Sequence, residues 1–170
     1  MAELSIKERL QPSLLDRLTD DEPGRATEPS EARTLSPARL RETVRRDLAW
    51  LFNSTHLQAV CDLGSFPLVA RSVINFGIPD LAGRPVSGLN TAVLEQMVRQ
   101  AILDFEPRLA RSSLRVSLVV DEQQMNRNAL LFDIEADLWM RPLPLRLYLR
   151  TAFDLETGKV DVNEKGKTVS

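Results

Sequence analysis

The hydrophobic period of this chain changes once, near residue 113, and that change restricts the fold to helices followed by a sheet. Ahead of it, apolar residues recur every three to four positions; beyond it they alternate. Leu40, Val44, Leu48, Leu51 and Phe52 mark one face of a segment opened by Ser36-Pro37. Serine there can accept from the first unpaired N–H groups of a helix, and proline suits the first helical position. The spacing predicts an amphipathic helix to about Asn53, with Arg39, Arg41, Glu42, Arg45 and Arg46 off the apolar stripe. A second helix is expected from about Leu89 to Phe105, on Leu89, Val93, Met97, Ala101 and Phe105. Pro107 places Glu106 at or just past its end.

Past the change, Leu114, Val116, Leu118 and Val120 alternate with Arg115 and Ser117, Leu130 to Leu138 with Asp133, Glu135 and Asp137, and Leu145 to Leu155 with Arg146, Arg150 and Asp154. These read as three strands, each with one buried face, joined by connections at 123–128 and 141–144 short enough for antiparallel hairpins. Asp133, Glu135 and Asp137 on one wet face are expected to meet Arg146 and Arg150 on the next strand. Glu156-Thr157-Gly158-Lys159 suits a tight turn, after which Val160 and Val162 begin a fourth strand. The fold class is therefore α+β: N-terminal helices packed on one face of a small antiparallel β-meander.

Outside these elements the periodicity weakens. Residues 54–70 read as irregular around Gly64 and Pro67, and 72–80 as an apolar segment ending in a turn at Gly77 and Pro79. Leu10, Leu14, Leu15 and Leu18 form a short helical stripe, followed over 20–36 by charges, Pro23, Gly24 and Pro29. A stretch so poor in apolar residues cannot offset its ordering entropy and is expected to be a linker. Three regions result: an amphipathic segment with its linker over 1–35, an α+β domain over 36–163 and a polar tail over 164–170. The leucine-striped segment is either a docking peptide or a helix folded back on the domain.

Composition narrows the function. The 170 residues carry 43% hydrophobic and 27% charged side chains with a net charge of -2, enough apolar surface for a core. No basic surplus is present to grip a phosphate backbone, so nucleic acid is not expected as a partner. No run approaches the ~20 apolar residues needed to span a bilayer, and the charged N-terminus has no signal-peptide core. One cysteine, Cys61, and one histidine, His56, are too few for a structural zinc site. No cofactor or metal is expected. The seven glycines are scattered rather than gathered in a phosphate loop. Glu106 is the best single candidate for a hydrolytic acid, but Arg108 two residues on would hold it ionised.

The constellation that stands out is Phe105-Glu106-Pro107-Arg108-Leu109. Opposite charges flank a proline just after a long helix, so Glu106 and Arg108 can project in set directions with little entropy left to lose on binding. An internal ion pair that ends the helix fits the same residues. At the other end of the chain, Lys159, Val160, Asp161 and Val162 would form a polar edge strand able to exchange main-chain hydrogen bonds with a partner strand. An ordinary edge followed by a solvated tail fits equally.

Four motifs occur in order: Ser13-Leu14-Leu15-Asp16-Arg17-Leu18, Arg46-Asp47-Leu48-Ala49-Trp50-Leu51-Phe52-Asn53, Ser72-Val73-Ile74-Asn75-Phe76-Gly77-Ile78-Pro79-Asp80 and Phe105-Glu106-Pro107-Arg108-Leu109. Together they resemble the TssE family of type VI secretion baseplate subunits, which is similar to the lysozyme-like wedge proteins of contractile phage tails. Phe52 and Phe76 depart from the family's commoner leucine and tyrosine. The resemblance implies a cytoplasmic, non-enzymatic subunit assembled at the inner face of the membrane. It implies that Glu106, Pro107 and Arg108 join wedge proteins TssF and TssG, and through them TssK. It also implies that the last strands seed contractile sheath subunits. The alternatives are an IraD-like anti-adaptor from the same domain family, which sequesters a response regulator, and a peptidoglycan hydrolase.

Overall fold

The computed structural model describes residues 14–19, 24, 36–83, 90–119, 129–139 and 144–165. Helix α1 spans Leu14–Leu18, α2 Pro37–Phe52, the one-turn α3 Pro67–Ala70 and α4 Thr91–Phe105. Strands β1 (Arg115–Val119), β2 (Ala129–Leu138), β3 (Leu145–Asp154) and β4 (Val160–Glu164) follow, each antiparallel to the one before, in the order β1-β2-β3-β4. The expected α+β meander is the fold. The linker expected over 20–36 lies outside the described residues save Gly24 and Ser36, as do the connections at 123–128 and 141–143. The fourth strand runs to Glu164, one residue into the stretch read as tail, and the Lys165 N–H still donates to the Tyr148 carbonyl at 3.0 Å.

The helix limits follow from their caps. The Ser36 hydroxyl accepts from the Arg39 N–H, with Pro37 inside the first turn. The Asn90 side chain accepts from Ala92 and Val93. Between α2 and α4 the chain is irregular, and two motif residues hold it. Gly77 sits at φ +125°, where its missing Cβ allows the Ser54 carbonyl to approach; an added Cβ would lie 2.3 Å from that oxygen. The passage lets Ile78 pair beside Thr55, with the Ile78 N–H donating to Ser54 at 2.9 Å and the His56 N–H to Ile78 at 3.2 Å. Asn75 is buried; its carboxamide accepts from the Gln58 N–H and donates to the Ala70 carbonyl.

The core lies between the helices and one face of the sheet. Val44, Leu48 and Leu51 of α2 and Val98 and Ile102 of α4 meet Phe132, Ile134, Leu147, Leu149 and Phe153. The Phe132 and Phe153 rings pack edge to face at 5.0 Å, and Phe52 closes on Phe153 at 5.6 Å. Burying five aliphatic side chains of this size contributes on the order of 10 kcal/mol before entropy is counted. On the wet face the expected cross-strand pairs form: Asp133 with Arg150 at 2.8 Å and Asp137 with Arg146 at 3.0 Å. The Arg150 guanidinium holds Asp133 below the ordinary carboxylate range, against a smaller opposing effect of burial.

Each outer strand is bound along its margin by a long helix. On α4, Glu95 accepts the Leu118 N–H of β1 at 2.7 Å. Arg45 of α2 and Asn53, the residue that caps it, bond the main chain of β4.

Candidate partner-binding site

Glu106 caps α4, its N–H donating to the Ile102 carbonyl at 2.8 Å. Pro107 then turns the chain sharply enough for the Leu109 N–H to reach the Glu106 carbonyl. Of the two arrangements the sequence left open, charges projecting outward or an internal ion pair, the turn does not give the first. It folds Arg108 back onto Glu106. The Glu106 residue is 4% exposed. Its Oε1 accepts from Arg108 Nε at 2.7 Å and from the Arg108 N–H at 3.1 Å, and its Oε2 from Arg108 Nη2. A carboxylate placed under a helix end must be compensated, and the adjacent guanidinium is the nearest cation. The side-chain geometry is that of an internal ion pair.

The pair is one end of a longer chain of charges. Arg108 Nη2 also donates to Asp47 Oδ2 on α2 at 2.6 Å. Asp47 Oδ1 accepts from Arg46 Nε and Nη2, and Arg46 Nη1 donates to Asp16 of α1 at 2.6 Å. Burial disfavours charge on Arg108, but the bonds and charge of Glu106, then Asp47, outweigh it and raise its pKa above the ordinary arginine value. The hydrogen bond that Arg46 donates to Asp16 does most to raise its pKa. One nitrogen, Arg108 Nη1, is buried with no partner among the described residues.

The two arginines are the more accessible members of this chain. Glu106 is sealed, the Arg108 side chain is 26% exposed and the Arg46 side chain 33%. Pro107 is exposed. The Arg46 guanidinium lies 4.7 Å over the half-exposed Trp50 ring. On the other side the Trp139 N–H donates to the Arg108 carbonyl at 2.8 Å, and its indole is exposed. Leu15 and Leu18 of α1 are exposed; the side chains of Leu14 and Arg17 lie outside the described residues. Arg46 with Trp50 and α1 thus lies at one end of the charge chain, and Trp139 adjoins Arg108 at the other.

The second expected site is β4. Val160 and Val162 point into the core; Lys159 and Asp161 are exposed and form a 3.4 Å surface pair worth little. The margin is not bare, as the sequence suggested. Asn53 holds both main-chain groups of Val160, and Arg45 Nη1 donates to the Val162 carbonyl at 2.9 Å. Glu106 and Arg108 stand out in the sequence; the long-range bonds of Asp47 and Asn53 and the placement of the two tryptophans do not. The visible signals were the adjacent opposite charges of Arg46-Asp47 inside a motif and an aromatic, Trp139, just beyond the last alternating residue of its strand.

No described helix is long and apolar enough to cross a membrane. Among the described residues no group of three or more His, Cys, Asp and Glu could hold a metal ion. Glu106, the candidate acid, has both oxygens engaged and no open face for a substrate.

No curated protein matches this sequence closely enough to count as a relative. A solved structure from Geobacter sulfurreducens, described as that of a candidate tail lysozyme, is 19% identical over 80% of this chain and 98% of that one, with a TM-score of 0.42. The family of baseplate wedge protein gp25 matches residues 38–143, well over half the chain. The match takes in α2, α4, the Glu106–Arg108 corner and β2. The chain belongs to the baseplate wedge gp25 family, structural components of contractile tails and secretion machines.

Proposed function

We propose that this protein is the TssE-type baseplate subunit of a type VI secretion apparatus, joining TssF and TssG, and through them TssK, to the base of a contractile sheath. The ordered set of four motifs supports the type VI assignment within the wider family. One observation carries the joint: the Glu106–Arg108–Asp47–Arg46 chain of ion pairs links exposed Trp139, beside Arg108, to exposed Trp50, beneath Arg46. Aromatic and arginine side chains of this kind dominate the energetics of protein interfaces.

In this reading Glu106, Pro107 and Arg108 act from within. Glu106 locks Arg108; Arg108 ties α2 to the end of α4, and the partner meets the rim that results. Residues Leu14 to Leu18 sit on that rim through Asp16 and take part in docking. The β4 margin, Lys159 to Val162, receives the first strand from the sheath.

The test is co-purification of TssF and TssG with tagged variants. Trp50→Ala with Trp139→Ala should lose the partners while unfolding at the wild-type urea midpoint. Partner recovery at the wild-type level by that double variant would remove the proposed surface. A hydrolase has no comparable support, and loss of turbidity in a cell-wall suspension would be required to revive it.

A further inference from the structure

The carboxamide of Asn53 makes to Val160 the two hydrogen bonds that a neighbouring strand would make. Its Oδ1 accepts the Val160 N–H at 3.0 Å and its Nδ2 donates to the Val160 carbonyl at 2.8 Å. Around it, the Lys159 carbonyl accepts from Asp154 and the Lys165 N–H donates to Tyr148. Odd-numbered residues of β4 therefore face β3, and Val160 and Val162 direct their main-chain groups away from the sheet. That outward row is where a fifth strand would pair. Two turns earlier on α2, Arg45, held by Glu42, takes the Val162 carbonyl. Helix α2 runs antiparallel to β4, so Arg45 meets Val162 and Asn53 meets Val160 in register.

We propose that Asn53, with Arg45, is a latch that occupies the place of an incoming strand on β4 and must open before any strand can be added there. A side-chain amide and a peptide group have the same donor and acceptor chemistry, so the exchange replaces like with like. Its net free energy is small, because each bond lost is remade. Asn53 Nδ2 also donates to the Ala49 carbonyl at 2.7 Å, a second partner on the preceding helix. The latch is thus inexpensive to open for a strand that brings further contacts. It remains closed to casual pairing with a second copy, the usual hazard of an uncovered edge. A solvent-open depression lined by Phe52, Asn53, Asp80, Phe153 and Val160 adjoins it and gives the released carboxamide room.

The inference rests on the reading of β4 as the sheath's template, and two sets of variants separate them. Asn53→Ala removes the mimic; Asn53→Asp keeps the acceptor and loses the donor, and serves if the alanine variant folds poorly. Val162→Pro deletes an outward N–H while sparing the β3 ladder. Sheath assembly is scored in the native cell with a fluorescent sheath subunit. Amide exchange at Val160 and sedimentation are measured on the purified full chain.

Asn53→Ala is expected to speed Val160 exchange about tenfold, the equivalent of one lost hydrogen bond. It should also give concentration-dependent self-association or a several-fold rise in sheath initiation. Val162→Pro is expected to abolish initiation. If the Asn53 variants exchange faster yet neither self-associate nor change initiation, the latch is refuted while a Val162→Pro loss keeps the template reading. If Val162→Pro initiates sheaths like the wild type, the template reading falls and the latch with it.

Discussion

Asp47 and Arg108 are 61 residues apart in the chain, and their side chains meet at 2.6 Å, closing α2 onto the end of α4. Among the described residues, Arg108 bridges that contact and the buried Glu106 carboxylate. Removing it strands a negative charge under the helix end. Arg108→Ala should therefore cost about 3–5 kcal/mol. Arg108→Lys, a point charge unable to span both acids, should cost about 2 kcal/mol. Asp47→Ala, which leaves the Glu106 pair intact, should cost about 1 kcal/mol. Urea unfolding at constant m-value gives the order, and a smaller loss for Arg108→Ala than for Asp47→Ala would contradict the arrangement.

Thr151 carries the opposite kind of defect. It is fully buried in β3 between Phe132 and Val162, and its hydroxyl has no partner among the described residues. Valine has the same shape without the stranded oxygen. Thr151→Val should stabilise the protein by about 1 kcal/mol, or about 3 °C in Tm. Calorimetry showing a lower Tm would mean that the hydroxyl is bonded in solution.

Gly77 is a packing requirement as well as a conformational one. Any side chain meets the Ser54 carbonyl and must also adopt φ near +125°. Gly77→Ala should lose at least about 2 kcal/mol. The loss should be concentrated in the 54–78 segment, visible as faster amide exchange at His56 and Ile78, whose N–H groups form the bridge there.

His56 is the one histidine, so its titration can be followed without assignment. Burial disfavours the imidazolium and lowers its pKa below the ordinary histidine value. A folded pKa below the unfolded one means that the native state favours neutral imidazole. The resulting stability is present in full above about pH 6.5 and declines as pH falls through the folded pKa. An NMR titration should give a midpoint under 6.5, and His56→Gln should flatten the stability profile between pH 7 and 5. A midpoint above 6.5 would show that a nearby acid, not burial, governs this residue.

Helices and strands were readable because burial imposes a period. Val44, Leu48 and Leu51 could only share a helix face, and Phe132, Ile134 and Ala136 only a strand face. The caps were readable as well, since Ser36-Pro37 and Glu106-Pro107 act within a few residues of themselves. What stayed hidden depends on contacts distant in sequence. Nothing local distinguishes an Asp47 that holds Arg108 from an acid on a solvated helix face. Whether Glu106 turns out or in is decided by what lies across from it, and Asn53 reads as a helix terminator until β4, 107 residues later, is laid beside it.

Trp50 and Trp139, the chain's two tryptophans, are both exposed; Trp139 bonds Arg108 through its N–H, and Trp50 lies under Arg46 at the other end of the charge chain. The protein thereby carries its own optical reporter at the place where neighbours would grip it. Covering that corner must shift indole emission to the blue, so docking can be timed with unlabelled material, and an unshifted spectrum on complex formation would locate the contact elsewhere.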